Sequence, residues 1–226
     1  MEKDTHTEEG FSFNSIVEFD SHISNSIPSY DSLLNFVVQL SDYFMEEGVN
    51  NFDIGCSTGK LVKRLGERHP SSKFTGIDNE VNFKDEMDSA STNTNFIFKD
   101  IFKVDNFKNS NFNTLIFTLQ FLPPHKRLEL VKKLYDGLNL GGALVVAEKT
   151  LSKSSKFQEI LTFLYYDYKR AYFSDKSILE KEKSLRVIMK PMTFQDLENL
   201  MIAAGFSEVE IFWKSYNFIG IIAIKN

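Results

Sequence analysis

The 226-residue sequence predicts an α/β fold: a mostly parallel sheet of seven strands with helices on both faces, a helical insert and a C-terminal antiparallel hairpin. Three observations predict it. Short apolar runs alternate with amphipathic, helix-like stretches from residue 50 to residue 150, the pattern of a parallel sheet wrapped by helices. One of those runs, NTLIFTLQFL, is almost continuously apolar, as a strand covered on both sides must be. The last two apolar runs, EVEIFWKSY and FIGIIAIKN, are joined by too short a connection for a crossover, which forces them antiparallel.

Residues 1–10 read as a loose polar tail and residues 11–226 as one domain. SIPSYDSLLNFVVQLSDYFMEEG contains a helix: Ser29 caps it just after Pro28, Leu33, Leu34, Val37 and Leu40 recur at helical spacing, and Gly48 stops it. NNFDIG is a strand, KLVKRLGERHP a helix ended by Pro70, SKFTGIDNE a second strand, FKDEMDSA a short helix and NFIFKDIF a third strand. NTLIFTLQFL is the fourth, PHKRLELVKKLYDGLN a helix opened by prolines and closed near Gly137, and GGALVVAEKT a fifth strand launched by Gly141 and Gly142. Residues 153–187 break the pattern with a long polar and aromatic stretch, read as an inserted helical cap. TFQDLENLMIAAGF returns to an amphipathic helix, with Thr193 as N-cap and Gly205 as C-cap.

Composition limits the function. The 22 Phe supply much of a core that a chain of this length can bury without staples. The one cysteine, Cys56, excludes an internal disulfide, and no cysteine–histidine cluster has metal-site spacing. The polar start lacks a signal-peptide core and no apolar run reaches about 18 residues, so the expectation is a cytoplasmic protein with no membrane span. A formal net charge of −5 argues against direct nucleic-acid binding, which needs clustered Lys and Arg. EKEKSLR at 180–186 mixes signs and reads as a solvated helix face.

DIGCSTGK is the chemically informative turn. A P-loop would need four residues between its glycines and a hydroxyl after the lysine, but Gly55 and Gly59 enclose three and Leu61 follows Lys60. A dinucleotide fingerprint would need glycines where Ser57 and Lys60 stand. What remains is the looser D-x-G-x-x-x-G turn that holds S-adenosylmethionine, built here from Asp53, Gly55 and Gly59. Small residues Gly55, Cys56 and Ser57 let backbone approach a methionine moiety, and free N–H groups at the helix start suit its carboxylate. Asp53 is expected to face the ligand's ammonium directly or through water, Asp78 at the next strand end its ribose hydroxyls, and Asp100 at the third its adenine amino group.

SNSIPSY, FDIGCSTG, GIDNE, FTLQFLPPHKRLELVKKLYDGLNLGGALVVAEK, YYDYKRA, AGFSEVEIFW and NFIGIIAIK, taken together, resemble the carboxy-S-adenosylmethionine synthase family over residues 16–225. The resemblance implies a class I methyltransferase (Rossmann-like) fold, a homodimer and a bound S-adenosylmethionine or carboxy-S-adenosylmethionine. It implies cofactor contacts at Tyr30, at Gly55, Cys56 and Ser57, at Asp78 and Asn79, and at Asp100 and Ile101. It also implies a reaction in which prephenate loses carbon dioxide and the cofactor's methyl carbon gains a carboxylate, the product then serving modification of a tRNA wobble uridine. The sequence departs from the family at two positions. Ile116 stands where the family has asparagine, and Glu182 falls where the family has the arginine that pairs with the added carboxylate. A carboxylate there would repel its ligand, with Lys181, Lys183 and Arg186 as the substitutes that a shift of the alignment would offer. The expectation is therefore an ordinary methyl donor serving a small or nucleoside-like acceptor, with the carboxylating synthase as the alternative and a non-catalytic cofactor-binding subunit as a third reading.

Methyl transfer asks mainly for alignment of nucleophile, methyl and sulfur, so no catalytic acid or base is assigned. Within YYDYKRAY, Tyr165, Tyr166 and Arg170 are the substrate-facing candidates, joined by Tyr216 in the final hairpin connection. His6, His22, His69 and His125 are each assigned a bland surface role, and Trp213 core packing.

Overall fold

The computed structural model describes residues 19–87 and 91–226. The tail at 1–10, with His6, and the end of the FKDEMDSA helix lie outside the described residues. Two helices, α1 (Phe19–Ser26) and α2 (Tyr30–Ser41), precede the sheet. The alternating part runs β1 (Asn50–Ile54), α3 (Lys60–Arg68), β2 (Lys73–Asp78), α4 (Lys84–Met87), β3 (Thr94–Phe98), β4 (Ser110–Ile116), α5 (Pro124–Gly137) and β5 (Leu138–Leu151). The insert folds as α6 (Ser155–Lys169) and α7 (Asp175–Ile188). The chain closes with β6 (Met192–Thr193), α8 (Phe194–Ala204), β7 (Glu208–Ser215) and β8 (Phe218–Ile224).

Seven strands lie in the order β3-β2-β1-β4-β5-β8-β7. The first five are parallel, and β8 runs antiparallel to both β5 and β7. The sequence did not announce β6, a two-residue strand that pairs with the far end of β5. Side chains alternate across the sheet: Val145 and Ala147 of β5 pack with Leu33 and Val37 of α2 and Val62 of α3, while Leu144 and Val146 pack with Leu130 and Leu134 of α5 and Leu197 and Met201 of α8. Trp213 joins the first of these layers, as read from sequence. Thr193 and Asp196 form a reciprocal capping box that starts α8, and Gly205 ends it.

Three boundaries differ from the sequence reading. Ser29 does precede α2, but in the left-handed conformation (φ 62°) and with no side-chain cap bond, and the helix ends at Ser41, well before Gly48. The fourth strand starts at Ser110 and stops at Ile116, because Phe117 adopts φ 57° and the chain then coils through a short 3-10 turn at Leu119–Phe121. Its continuous apolar run therefore belongs partly to a turn. β5 begins at Leu138, ahead of the glycine pair expected to launch it.

The strand order reverses between β1 and β4, and loops at the carboxyl ends of parallel strands diverge there to leave a crevice. The turn after β1 enters it through Gly55 (φ 73°) and leaves through Gly59 (φ 76°). A Cβ on Gly59 would lie 2.4 Å from the Phe96 ring, in a backbone region that side chains strain to adopt. Gly59→Ala is therefore expected to lower unfolding free energy by about 2–4 kcal/mol, the combined scale of left-handed strain and overpacking. Urea denaturation checks this.

Candidate functional site

A cavity of about 570 Å³ opens at the carboxyl edge of the sheet, between the strand-end turns, α1 and α7. One wall is built by carboxylates that hold backbone. Ser57 N–H donates to Asp78 Oδ2 and Glu80 N–H to Asp78 Oδ1, both at 2.9 Å, so Asp78 ties the turn after β1 to the end of β2. Asp100 accepts from Phe102 N–H at 3.0 Å and shapes the turn after β3. A Cβ on Gly55 would fall 2.3 Å from Thr118 Oγ1, so this turn and the one after β4 pack without space for a side chain between them.

Gly55, Ser57, Asp78, Asn79, Asp100 and Ile101 all line the cavity, so the structure brings most of the expected cofactor residues together. Four others are placed outside its lining. Asp53 is buried and accepts from Thr114 Oγ1 at 2.6 Å across to β4. Burial pushes its carboxyl up to about 7, opposed by the Thr114 bond. Cys56 turns down onto Gly76, and burial pushes its thiol up. Gly59 sits against Phe96. Tyr30 packs near Phe117, with ring centroids 6.2 Å apart, and burial followed by the nearby Asp20 and Asp53 raises its phenol.

Of the substrate candidates, Tyr165 alone lines the cavity, with its hydroxyl donating to Ser26 O at 2.9 Å. Arg170 is spent on Asp167 and Asp175, at 2.5 and 2.7 Å, on the exposed side of the insert. Tyr166 lies beside Phe163 and Tyr165, and Tyr216 packs near Tyr168. Ile116 lines the cavity and presents it with hydrocarbon.

Apart from Lys181, the sequence does not announce the cluster of charge at the insert end of the cavity. Glu182, 8% exposed, lies 3.4 Å from Lys149 Nζ and 3.8 Å from Lys169 Nζ. Both ammonium groups stand about 5 Å from the centre of the Tyr165 ring. Lys169 is 1% exposed and its Nζ makes no hydrogen bond. Lys149 and Lys181 line the cavity, and Lys181 bonds to His22 Nε2 and to Ser26 Oγ, the latter at 3.4 Å. Burial lowers all three lysines, with Glu182 opposing; Lys181 falls to about 8. Burial, then Lys181 and Lys169, lowers His22 to about 4. So EKEKSLR is not simply a solvated face, and His22 is not a surface residue. One signal was available: Lys181, Leu185 and Met189 recur at the i, i+4 spacing of a single helix face, and all three line the cavity.

Asp53 supplies a pH test of this arrangement. Unfolded, its carboxyl ionises near 3.8; folded, it keeps its proton to about 7. The unfolded chain binds fewer protons in between, so Asp53's contribution to stability is lost as pH rises through that window. Asp53→Asn has no such proton to lose. Its stability relative to wild type is expected to rise from about pH 4 to about pH 7 and level off above, in urea titrations at a series of pH values. A pH-independent difference would contradict it.

The site can now be set beside known proteins. A family model described as a methyltransferase domain matches residues 52–142. The carboxy-S-adenosyl-L-methionine synthase of Staphylococcus epidermidis is 33% identical over 214 residues, covering 92% of this chain and 92% of that protein. The protein of the same name from Campylobacter concisus is 32% identical, covering 95% and 94%. Among solved structures, the plantazolicin methyltransferase BpumL bound to S-adenosylhomocysteine (SAH) and a desmethyl analogue aligns with TM-score 0.66 at 17% identity, over 92% of this chain and 89% of that one. Human N-acetylserotonin methyltransferase, solved with S-adenosylmethionine, aligns with TM-score 0.57 at 18% identity, over 92% and 65%. These two likenesses establish a shared class I methyltransferase fold. With a third of its residues identical over nine-tenths of both chains, the protein belongs to the carboxy-S-adenosyl-L-methionine synthase family of S-adenosylmethionine-dependent transferases.

Proposed function

We propose that this chain makes carboxy-S-adenosyl-L-methionine from S-adenosylmethionine and prephenate, in the cytoplasm, in support of tRNA wobble-uridine modification. One observation carries this reading beyond family membership: Glu182 is outnumbered. The case for ordinary methyl transfer rested on Glu182 repelling a carboxylate. Lys149 and Lys169 hold Glu182, and Lys149 and Lys181 line the cavity, so that end of it is cationic in spite of Glu182. A cationic pocket suits an anionic substrate or product, because opposite charges attract more strongly where protein replaces part of the bulk water.

The strand-end turns fit the cofactor. An ionised carboxylate has about four acceptor positions. Asp78 uses two on backbone N–H groups and Asp100 uses one, which leaves both able to accept from ribose or adenine. We assign Gly55, Ser57, Asp78, Asn79, Asp100 and Ile101 to the cofactor, with Tyr30, Asp53, Cys56 and Gly59 supporting the turn from outside the lining. When bound, S-adenosylmethionine supplies a methyl carbon activated by its sulfonium. Tyr165 walls the cavity, while Tyr166, Arg170 and Tyr216 stand outside its lining. Methyl transfer to a small or nucleoside-like acceptor is the second reading. Ile116 favours it, because it removes the family's polar side chain from the lining.

Mass spectrometry of the cofactor after incubation with S-adenosylmethionine and prephenate separates the two. The expected product is heavier than S-adenosylmethionine by one carbon dioxide. Lys149→Met and Lys181→Met are each expected to lower kcat/KM by about 10- to 100-fold, the scale of a lost hydrogen bond to a charged group. Absence of a carboxylated product, with demethylated cofactor appearing once an acceptor is added, would favour the second reading.

The same reading includes a homodimer. Phe157, Ile160, Phe163 and Leu164 expose an apolar stripe along α6 at helical spacing, 43–64% exposed, which a second copy would cover. Light scattering is expected to give twice the 26.0 kDa chain mass for wild type and the single mass for Phe163→Asp. A monomeric wild type would remove the dimer.

A further inference from the structure

We infer that His22 is a positioning residue for the second substrate: its imidazole accepts a hydrogen bond from Lys181 and holds that ammonium in the cavity beside Lys149, facing the substrate's anionic group. The inference rests on the proposed reaction for the identity of that substrate. His22 belongs to α1, and its place is fixed from two sides. Toward the cofactor turn, Thr58 Oγ1 donates to Asp20 at 2.9 Å and Phe19 packs edge-on against Phe83 at 4.7 Å. Toward the insert, the hydroxyls of Tyr165 and Tyr168 donate to Ser26 O and Ser24 O at 2.9 and 3.2 Å. α1 therefore carries His22 to the cavity wall as a fixed element, with the ring tilted against Phe173 at 5.4 Å.

The choice of side chain matters because of what surrounds Lys181. It faces His22 and Ser26 from α1, Lys169 from α6, Lys149 from β5 and its own neighbour Glu182. Glu182 partly cancels Lys149 and Lys169. A carboxylate in place of His22 would cancel Lys181 as well. A neutral imidazole has one acceptor nitrogen and no charge, so it orients the ammonium without adding a counter-charge of its own. His22 is held neutral over the working range, having fallen to about 4. Accepting from an ammonium also favours its charged form. Lys181 loses its proton at about 8, so removal of His22 moves that loss to lower pH.

The test compares wild type, His22→Phe and His22→Gln, the last retaining an acceptor, with S-adenosylmethionine saturating and prephenate varied across pH. His22→Phe is expected to raise KM for prephenate about tenfold while kcat changes less than about twofold, and to move the alkaline limb of kcat/KM to lower pH. His22→Gln is expected to recover both. An unchanged KM and limb in a folded His22→Phe, or no recovery in His22→Gln, overturns the inference. Should wild type make no carboxylated cofactor, the proposed reaction fails. Competitive acetic-anhydride labelling of Lys181, read by peptide mass spectrometry across pH, then decides His22 without any substrate. A labelling midpoint that shifts down in His22→Phe and returns in His22→Gln upholds the placement of Lys181. A midpoint that does not move overturns it, and His22→Leu repeats the comparison if His22→Phe does not fold.

Discussion

Parallel strands must be joined by crossovers, so every loop that follows a strand emerges at one edge of the sheet. The site depends on that constraint and on the reversal of strand order between β1 and β4. The turns after β1, β2, β3 and β4 meet there, and the chain welds them together with few contacts. The Asp78 carboxylate joins the first two, and Thr118 lies against Gly55 to join the first and the last. The buried Glu148 holds the turn after β4 by accepting from Leu119 and Gln120 N–H at 2.9 and 2.8 Å. These side chains satisfy backbone donors that the sheet leaves over, beside backbone bonds such as Gly55 N–H to Ile77 O at 2.7 Å.

The insert closes the cavity with a different physics. Lys149, Lys169 and Glu182 are largely taken out of water beside the Tyr165 ring, with Lys181 next to them on the cavity wall. Burying charges is costly unless they are paired, and here the pairing is incomplete: Lys169 Nζ is buried without a hydrogen bond. An arrangement that is poor for stability alone is in keeping with the proposed anionic substrate, because unsatisfied groups tend to collect where function requires them.

Local features were legible in the sequence to the extent that their partners lie nearby in the chain. The capping box of Thr193 and Asp196, the glycine at the end of α8 and the closing hairpin follow from short-range stereochemistry. The glycine turn and the aspartates after β2 and β3 were readable because a parallel sheet has only one place to put strand ends. The fourth strand was overrun because apolar periodicity does not reveal a residue with positive φ, and Phe117 has one. The partner of Asp53 was hidden for a related reason: its strand position is legible, but Thr114, which bonds it, lies on another strand.

What the sequence determined by itself was the α/β class, the order of elements, the hairpin and the small-residue turn. Each rests on periodicity and on the steric range of a few adjacent residues. Only the tertiary structure decided the charge of the cavity. Glu182 looked like a repulsive intruder until Lys149, 33 residues away, and Lys169 were placed against it. His22 looked inert until α1 brought it to Lys181, 159 residues along the chain. Electrostatic character in a pocket is a sum over distances in space, and separation along the chain does not enter that sum.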